Sequence, residues 1–260
     1  KEPNETFAIW NKNVVMEDVI QVIETFRPDI IVNRFSHNTP GTTHGHHTAS
    51  AMLSLEAYDL VKYKPKRIFF NTSWWFYGSQ EAFDAADKSK LLAINSNVFY
   101  PLKGKSNNEI AALSRSQHKC QGFGTLGSRG DEIEYLELLK GDLPSNTNLF
   151  EGIDTSWNRV KGGNEIGKIL YEIEKNFNFG NPSVHIPNLI KAYDLIQKLE
   201  DSHWKEIKSK QIIKIIEACS GLFMEAVADT ETTTKESNFN INIEVINRSQ
   251  SNAKLISVKA

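Results

Sequence analysis

The sequence predicts an α/β fold built on a parallel sheet, and three observations carry that reading. Short runs rich in branched residues, at 29–35 and 67–72, alternate with amphipathic helical patterns in the first 140 residues. Helical periodicity then dominates up to about residue 228. Finally, Phe239, Ile241, Ile243 and Val245 alternate with polar residues, which is the pattern of a half-buried strand.

The elements follow in order. Residues 14–26 read as a helix, with Val15, Val19, Val22, Ile23 and Phe26 on one side. Arg27-Pro28-Asp29 breaks it, and 29–35 reads as a buried strand. A polar loop holding Pro40-Gly41 leads to a second helix from near His46 to about Tyr63. Residues 67–72 form a second buried strand. Helix, strand, helix, strand in that order suggests parallel strands joined by right-handed crossovers. The run Trp74-Trp75-Phe76-Tyr77 follows directly. It is either a core plug or a wall for a sugar ring or apolar group. Residues 97–102 and 134–139 are further short strands, and 107–119 is helical. The glycine-rich stretch from Gly122 to Gly130 lacks the Lys-Ser/Thr ending of a phosphate loop and predicts no nucleotide site. After Gly141 the chain reads as helices at 164–177, 186–199 and 204–228. A threonine-rich linker at 229–237 precedes the alternating strand, read as the first of a β-sandwich.

Bulk properties exclude some functions. The 260 residues suffice for one large or two smaller domains, and 40% are apolar. Thirty basic side chains against 32 acidic ones leave a net charge of −2, which gives no case for nucleic acid. The short basic run at 62–67 reads as solvated loop. No stretch is long and apolar enough to span a bilayer, which needs about 20 residues. Cys120 and Cys219 form no CxxC motif and do not fix a redox compartment. No signal peptide is evident, and the sequence reads as a piece of a longer protein.

The chemistry concentrates in Thr43-His44-Gly45-His46-His47-Thr48-Ala49, where three of seven histidines occupy four positions. The motif sits between a strand and a helix, where ligands of α/β proteins gather. His44 and His47 are three apart and share one helix face. Neutral imidazoles at that spacing suit zinc; a polar helix start without metal is the simpler alternative. A helix N-terminus disfavours imidazolium, which suits His47 as a ligand and works against a charged His44. His37 lies in the preceding loop and could reach the site, or simply be solvated. His118 could equally be an ordinary helix-end residue. Surface pairing is the default for Arg115 and Arg129, with an anionic substrate group the alternative.

Three segments together resemble the PIG-L/LmbE-like zinc-dependent N-acetylglucosaminyl deacetylases, in particular long, secreted-type bacterial members of the Bacteroidetes type. They are Arg27-Pro28-Asp29-Ile30-Ile31-Val32, the histidine run, and Ser114-Arg115-Ser116-Gln117-His118-Lys119-Cys120-Gln121-Gly122-Phe123-Gly124. The resemblance implies a partial Rossmann-like sheet and zinc-dependent hydrolysis of an N-acetyl group on an amino sugar or related glycoconjugate. It assigns His47 as a metal ligand and His44 as the residue that steadies the developing oxyanion. His46 stands where the family often has Asp, so its role stays open. His118 and Gln121 match a rim element, with Cys120 at its serine position; Arg115, Trp74 and Trp75 complete the candidate substrate contacts.

The family's Ala-His-Pro-Asp-Asp motif, which supplies two ligands and the catalytic base, does not occur in the sequence. The expectation is that it lies upstream of Lys1, so that residues 1–141 are the C-terminal portion of the deacetylase domain. Residues 142–229 would be a helical extension and 238–260 the first strands of a truncated β-sandwich. This chain alone would bind zinc weakly or not at all. The resemblance also implies secretion or a periplasmic location. From a different class, a non-catalytic carbohydrate-binding or scaffold module fits the aromatic run and trailing β segment.

Overall fold

A computed structural model describes residues 2–39, 43–121 and 124–258. It divides into two compact units, Lys1–Ile153 and Asp154–Ala260, each described separately below.

The first unit opens with two helices, α1 (Pro3–Trp10) and α2 (Lys12–Phe26), followed by β1 (Ile30–Asn33) and α3 (Gly45–Leu60). Next come β2 (Arg67–Thr72), the single-turn α4 (Trp74–Tyr77), α5 (Gln80–Ala85) and β3 (Leu91–Asn95). Two short strands, β4 (Phe99–Tyr100) and β5 (Lys105–Ser106), pair with each other and lead into α6 (Asn107–Arg115). The long strand β6 (Ile133–Lys140) returns to the main sheet.

That sheet has the order β1-β2-β6-β3, and it is mixed. β1 and β2 are parallel, in register from Ile30 with Arg67 to Asn33 with Phe70. β6 runs antiparallel to both β2 and β3. The wholly parallel sheet read from the sequence is therefore corrected. The helix, strand, helix, strand order set the direction of β1 and β2, but nothing in residues 133–140 encodes direction. With β6 reversed, the carboxyl ends of β1, β2 and β3 and the start of β6 all share one edge. The loops carrying the candidate residues leave from that edge.

Two apolar layers sandwich the sheet. Ile31 packs with Met16, Ile23, Leu53, Ala57 and Val61 of α2, α3 and the turn after α3. On the other face Phe69, Leu92 and Leu136 pack with Leu138 and Leu149. Arg67 is 1% exposed. Its Nε donates to the Asp142 carbonyl at 2.6 Å, one terminal nitrogen to the Leu149 carbonyl at 3.0 Å, and the other to Asp142 Oδ2 at 2.8 Å. Lys66 Nζ reaches the Gly152 carbonyl at 3.0 Å. These bonds fasten residues 142–152 to the start of β2, and so the first unit extends past Gly141 to Ile153.

The second unit holds α7 (Gly163–Lys175), α8 (Ile186–Ile196) and α9 (Ser202–Ser220), then an antiparallel hairpin of β7 (Leu222–Ala228) and β8 (Ile241–Asn247). Ile166, Leu189, Ala192, Ile196 and Ile212 form its core. The helix read over 204–228 stops at Ser220, because Gly221 takes a left-handed conformation (φ 65°) that closes it. The alternating strand is thus preceded by β7 and is the second strand of a hairpin rather than a first strand. Both hairpin strands are largely exposed, so β8 is not half-buried. Among the described residues no helix is long and apolar enough to cross a membrane.

Candidate functional site

The histidine run sits at the N-terminus of α3. His44 is the N-cap residue, with extended backbone (φ −72°, ψ 146°), and its imidazole makes no capping hydrogen bond. The cap bonds come instead from its carbonyl, which accepts from His47 N at 2.9 Å and Thr48 N at 3.4 Å. Gly45 is required by close approach: a Cβ there would collide with the backbone of Glu2, just before α1. This tight seat anchors the helix start and leaves the imidazoles of His44 and His46 exposed.

The three rings form one group. His44 lies edge-on to His47 at 5.3 Å between centroids, and His46 edge-on to His47 at 4.3 Å. His44 and His46 stack at 5.4 Å, and Trp10 flanks His46 at 6.1 Å. His47 itself stacks on Phe35 at 3.9 Å with planes 7° apart. That contact fixes the ring plane. Burial first, and then the neighbouring His46 and His44, push the His47 pKa below the ordinary 6.5. Its Nδ1 is buried without a hydrogen-bond partner among the described residues. An unpaired buried polar atom costs about 1–3 kcal/mol and calls for a structural or functional reason.

His47 is not alone in this. Asn33 Nδ2, His37 Nδ1 and Thr48 Oγ1 are also buried without a partner among the described residues. All four lie between the last residue of β1 and the first turn of α3. Burial lowers the His37 pKa, and the Glu137 carboxylate on β6 partly offsets this. Glu137 also acts on Tyr77, whose hydroxyl pKa is raised mainly by burial. Glu137 therefore acts on both His37 and Tyr77, and the sequence reading missed it. A signal existed for Glu137, a carboxylate inside the otherwise apolar run Leu136 to Leu139.

The aromatic run resolves into two pairs. Phe76 packs edge-on against Phe70 at 4.8 Å and Tyr77 against Phe83 at 5.1 Å, so these two anchor α4. Trp74 and Trp75 remain about half exposed. They follow the carboxyl end of β2, on the same sheet edge as the histidine loop.

The expected rim is less closely joined. His118 and Gln121 lie after α6, in the excursion between β3 and β6 that leaves from that same edge. Both are exposed, as is Arg115. Among the described residues, no hydrogen bond or ring contact links any of the three to the histidines. Gly122-Phe123, where the glycine-rich stretch begins, lies outside the described residues, as do Pro40-Gly41 and Thr42. Downstream, Gly127 packs directly on the backbone of Glu109, and Arg129 Nε meets Glu109 Oε1 at 2.9 Å. This part of the glycine-rich loop thus packs against α6.

The donor set decides how far these residues suit zinc. A neutral, rigidly stacked His47 fits one ligand position. Among the described residues, however, no group of three or more His, Cys, Asp or Glu is placed to hold a metal ion. Zinc sites use at least three protein ligands, so these residues do not complete one. Comparison with protein-family models, curated proteins and solved structures gives no match.

Proposed function

We propose that the first unit carries part of the active site of a zinc-dependent hydrolase that removes an N-acetyl group from an amino sugar or related glycoconjugate. The observation that carries this reading is the imidazole of His47: held flat on Phe35, depressed in pKa, and with a buried nitrogen left unpaired. Such a ring is neutral at pH 7, as a metal ligand must be. In this reading His47 would be one ligand of a zinc ion, which when bound would supply Lewis acidity toward the amide carbonyl. This reading requires zinc ligands in addition to His47, which the described residues do not supply. His44, exposed at the N-cap and free of a capping bond, donates to the oxygen of the acyl group as negative charge develops there. Trp74 and Trp75 offer an aromatic wall to a sugar ring, and His118, Gln121 and Arg115 supply polar rim contacts. A secreted or periplasmic location belongs to the same reading.

The incomplete donor set favours a second reading, a non-catalytic carbohydrate-binding or scaffold module in which the same tryptophans hold a glycan. One experiment separates the two. The chain, extended by the residues preceding it in its gene, is loaded with zinc and assayed for acetate release from N-acetylglucosamine conjugates. In the hydrolase reading His47→Ala loses most of the metal and the activity together. His44→Ala keeps the metal and loses turnover by about 10²-fold or more, the scale of one lost oxyanion donor. Equal loss of metal in both variants makes His44 a ligand as well. Glycan binding without acetate release by the unaltered extended protein establishes the second reading.

A further inference from the structure

The sheet edge that carries the histidine run also carries, at its other end, a cavity that plays no part in the reading above. It measures about 640 Å³, and its walls include Asn95, Asn97, Phe99, Glu109, Arg129 and Asp131. Amide side chains fix its floor. Asn97 is buried; its Nδ2 donates to the Gly130 carbonyl at 2.7 Å, and its Oδ1 accepts from Asn108 N, in the first turn of α6, at 2.9 Å. Asn95, the last residue of β3, donates to Asp131 Oδ1 at 2.7 Å and accepts from Asn97 N and Glu132 N, each at 3.1 Å. The end of β3, the loop before β6 and the start of α6 are thus tied into one frame.

The groups on this frame suit hydroxyls. Glu109 Oε2 accepts from Ser106 N at 3.0 Å, and Oε1 from Arg129 Nε at 2.9 Å. The guanidinium is therefore held, while the Arg129 side chain stays 79% exposed. Asp131 is exposed on the same loop. A guanidinium donates and a carboxylate accepts, and a sugar hydroxyl does both. One cation between two carboxylates disfavours an anionic ligand. Phe99 on β4, 57% exposed, adds an apolar ring surface.

The strand order β1-β2-β6-β3 sets the sequence of features along the edge. The histidine run follows β1, Trp74 and Trp75 follow β2, and the cavity lies where the loop into β6 meets the end of β3. Three strand spacings, roughly 14 Å, separate β1 from β3. That is more than one sugar ring spans. We infer that the cavity is a subsite for an uncharged oligosaccharide, which runs along the sheet edge past Trp74 and Trp75 to the histidine run. This names the substrate class of the hydrolase reading and rests on that reading for the chemistry at the histidine end; the glycan contacts themselves need no metal.

The test is titration of the full chain, without metal, with N-acetylglucosamine, its linear tetramer and a galacturonate tetramer, followed by calorimetry and by amide chemical shifts. The neutral tetramer is expected to bind at least ~10-fold more tightly than the single sugar or the acidic tetramer. The amides of Asn95, Phe99 and Gly130 should shift together with that of His46. Phe99→Ala and Arg129→Met, both at exposed positions, should each weaken the neutral tetramer by ~10-fold. Thermal melts confirm that the variants are folded. The subsite is overturned if the neutral tetramer does not bind, if either control binds as tightly, if the shifts stay at one end, or if both variants bind like the unaltered chain. Acetate release by the zinc-loaded extended protein is read separately. Equal release from single sugar and tetramer, with no shifts at the cavity, would leave the hydrolase reading and remove the subsite. Shifts at both ends without acetate release would keep the subsite and remove the hydrolase reading.

Discussion

The two units bury different things. In the second, Ile166, Leu189, Ala192 and Ile196 are almost wholly removed from water, and the hydroxyls of the buried Ser183 and Ser220 are hydrogen-bonded, to Asn181 and to the Glu217 carbonyl. In the first, the sheet and α3 enclose Asn33, Thr48, Arg67 and Thr72 beside the apolar residues. The unpartnered nitrogens of Asn33, His37 and His47 and the hydroxyls of Thr48 and Ser54 all belong to residues 33–54 of the first unit. An apolar core is optimised for stability. A core that retains unpaired polar atoms at one sheet edge has given up stability there, as sites for ligands and chemistry commonly do.

If that contrast is right, the largest single effect should come from the second core. Leu189 is 1% exposed and surrounded by apolar neighbours. Leu189→Ala should cost about 2–5 kcal/mol by the combined loss of transfer energy and creation of a cavity. Denaturant unfolding, followed by Trp157 and Trp204 fluorescence, measures it. A cost under ~1 kcal/mol would mean that this core is loosely packed and the contrast false.

Arg67 gives the next effect, because it is a buried cation of the first unit whose three nitrogens each donate a hydrogen bond. Arg67→Met removes three hydrogen bonds at once and should destabilise the first unit by about 1–3 kcal/mol. The variant should also change the response to acid. The Asp142 carboxyl is held below its ordinary 3.8, chiefly by the hydrogen bond from Arg67. A lowered carboxylate pKa contributes stability above 3.8 that is lost as pH falls through the folded-state value. Below pH 3.8, then, the unaltered chain should lose this contribution, and Arg67→Met, which keeps only the weaker effects of Lys66 and the local backbone, should lose less. Parallel acid unfolding curves for the two proteins would show that the bond does not form.

Much of the fold was legible where one periodicity ruled. The strand at 67–72 coincides with β2, and the helices at 14–26 and 186–199 lie within about three residues of α2 and α8. Residues 222–228 were misread because Leu222-Phe223-Met224 continues an apolar pattern that suits helix or strand; the stop lay in Gly221. The direction of β6 was illegible in principle, since alternation carries no sign. At the candidate site, the grouping of His44, His46 and His47 followed from their spacing on one helix turn. The stacking of His47 on Phe35 did not, because it depends on how the loop after β1 folds back. The influence of Glu137 on His37 and Tyr77 was hidden for the same reason: it crosses from one strand to residues sixty to one hundred positions earlier.

The smallest effect tests the contrast most sharply. His47→Phe keeps a flat ring against Phe35 and removes the unpaired Nδ1 along with the rest of the imidazole's polarity. If His47 were an ordinary structural residue, its loss would destabilise the first unit, as most core substitutions do. If it is instead retained for a ligand at the expense of stability, the unpaired nitrogen already costs about 1–3 kcal/mol, and the substitution recovers part of that. Against this, a phenyl ring is somewhat larger than an imidazole, and a crowded site would lose some of the gain. The expected result at pH 7.5, without added metal, is a change within about 1 kcal/mol of zero or a modest stabilisation. Denaturant unfolding in the presence of a chelator measures it. A loss of more than ~2 kcal/mol would mean that the imidazole nitrogen has a structural partner, and the first unit would then differ from the second in composition but not in purpose.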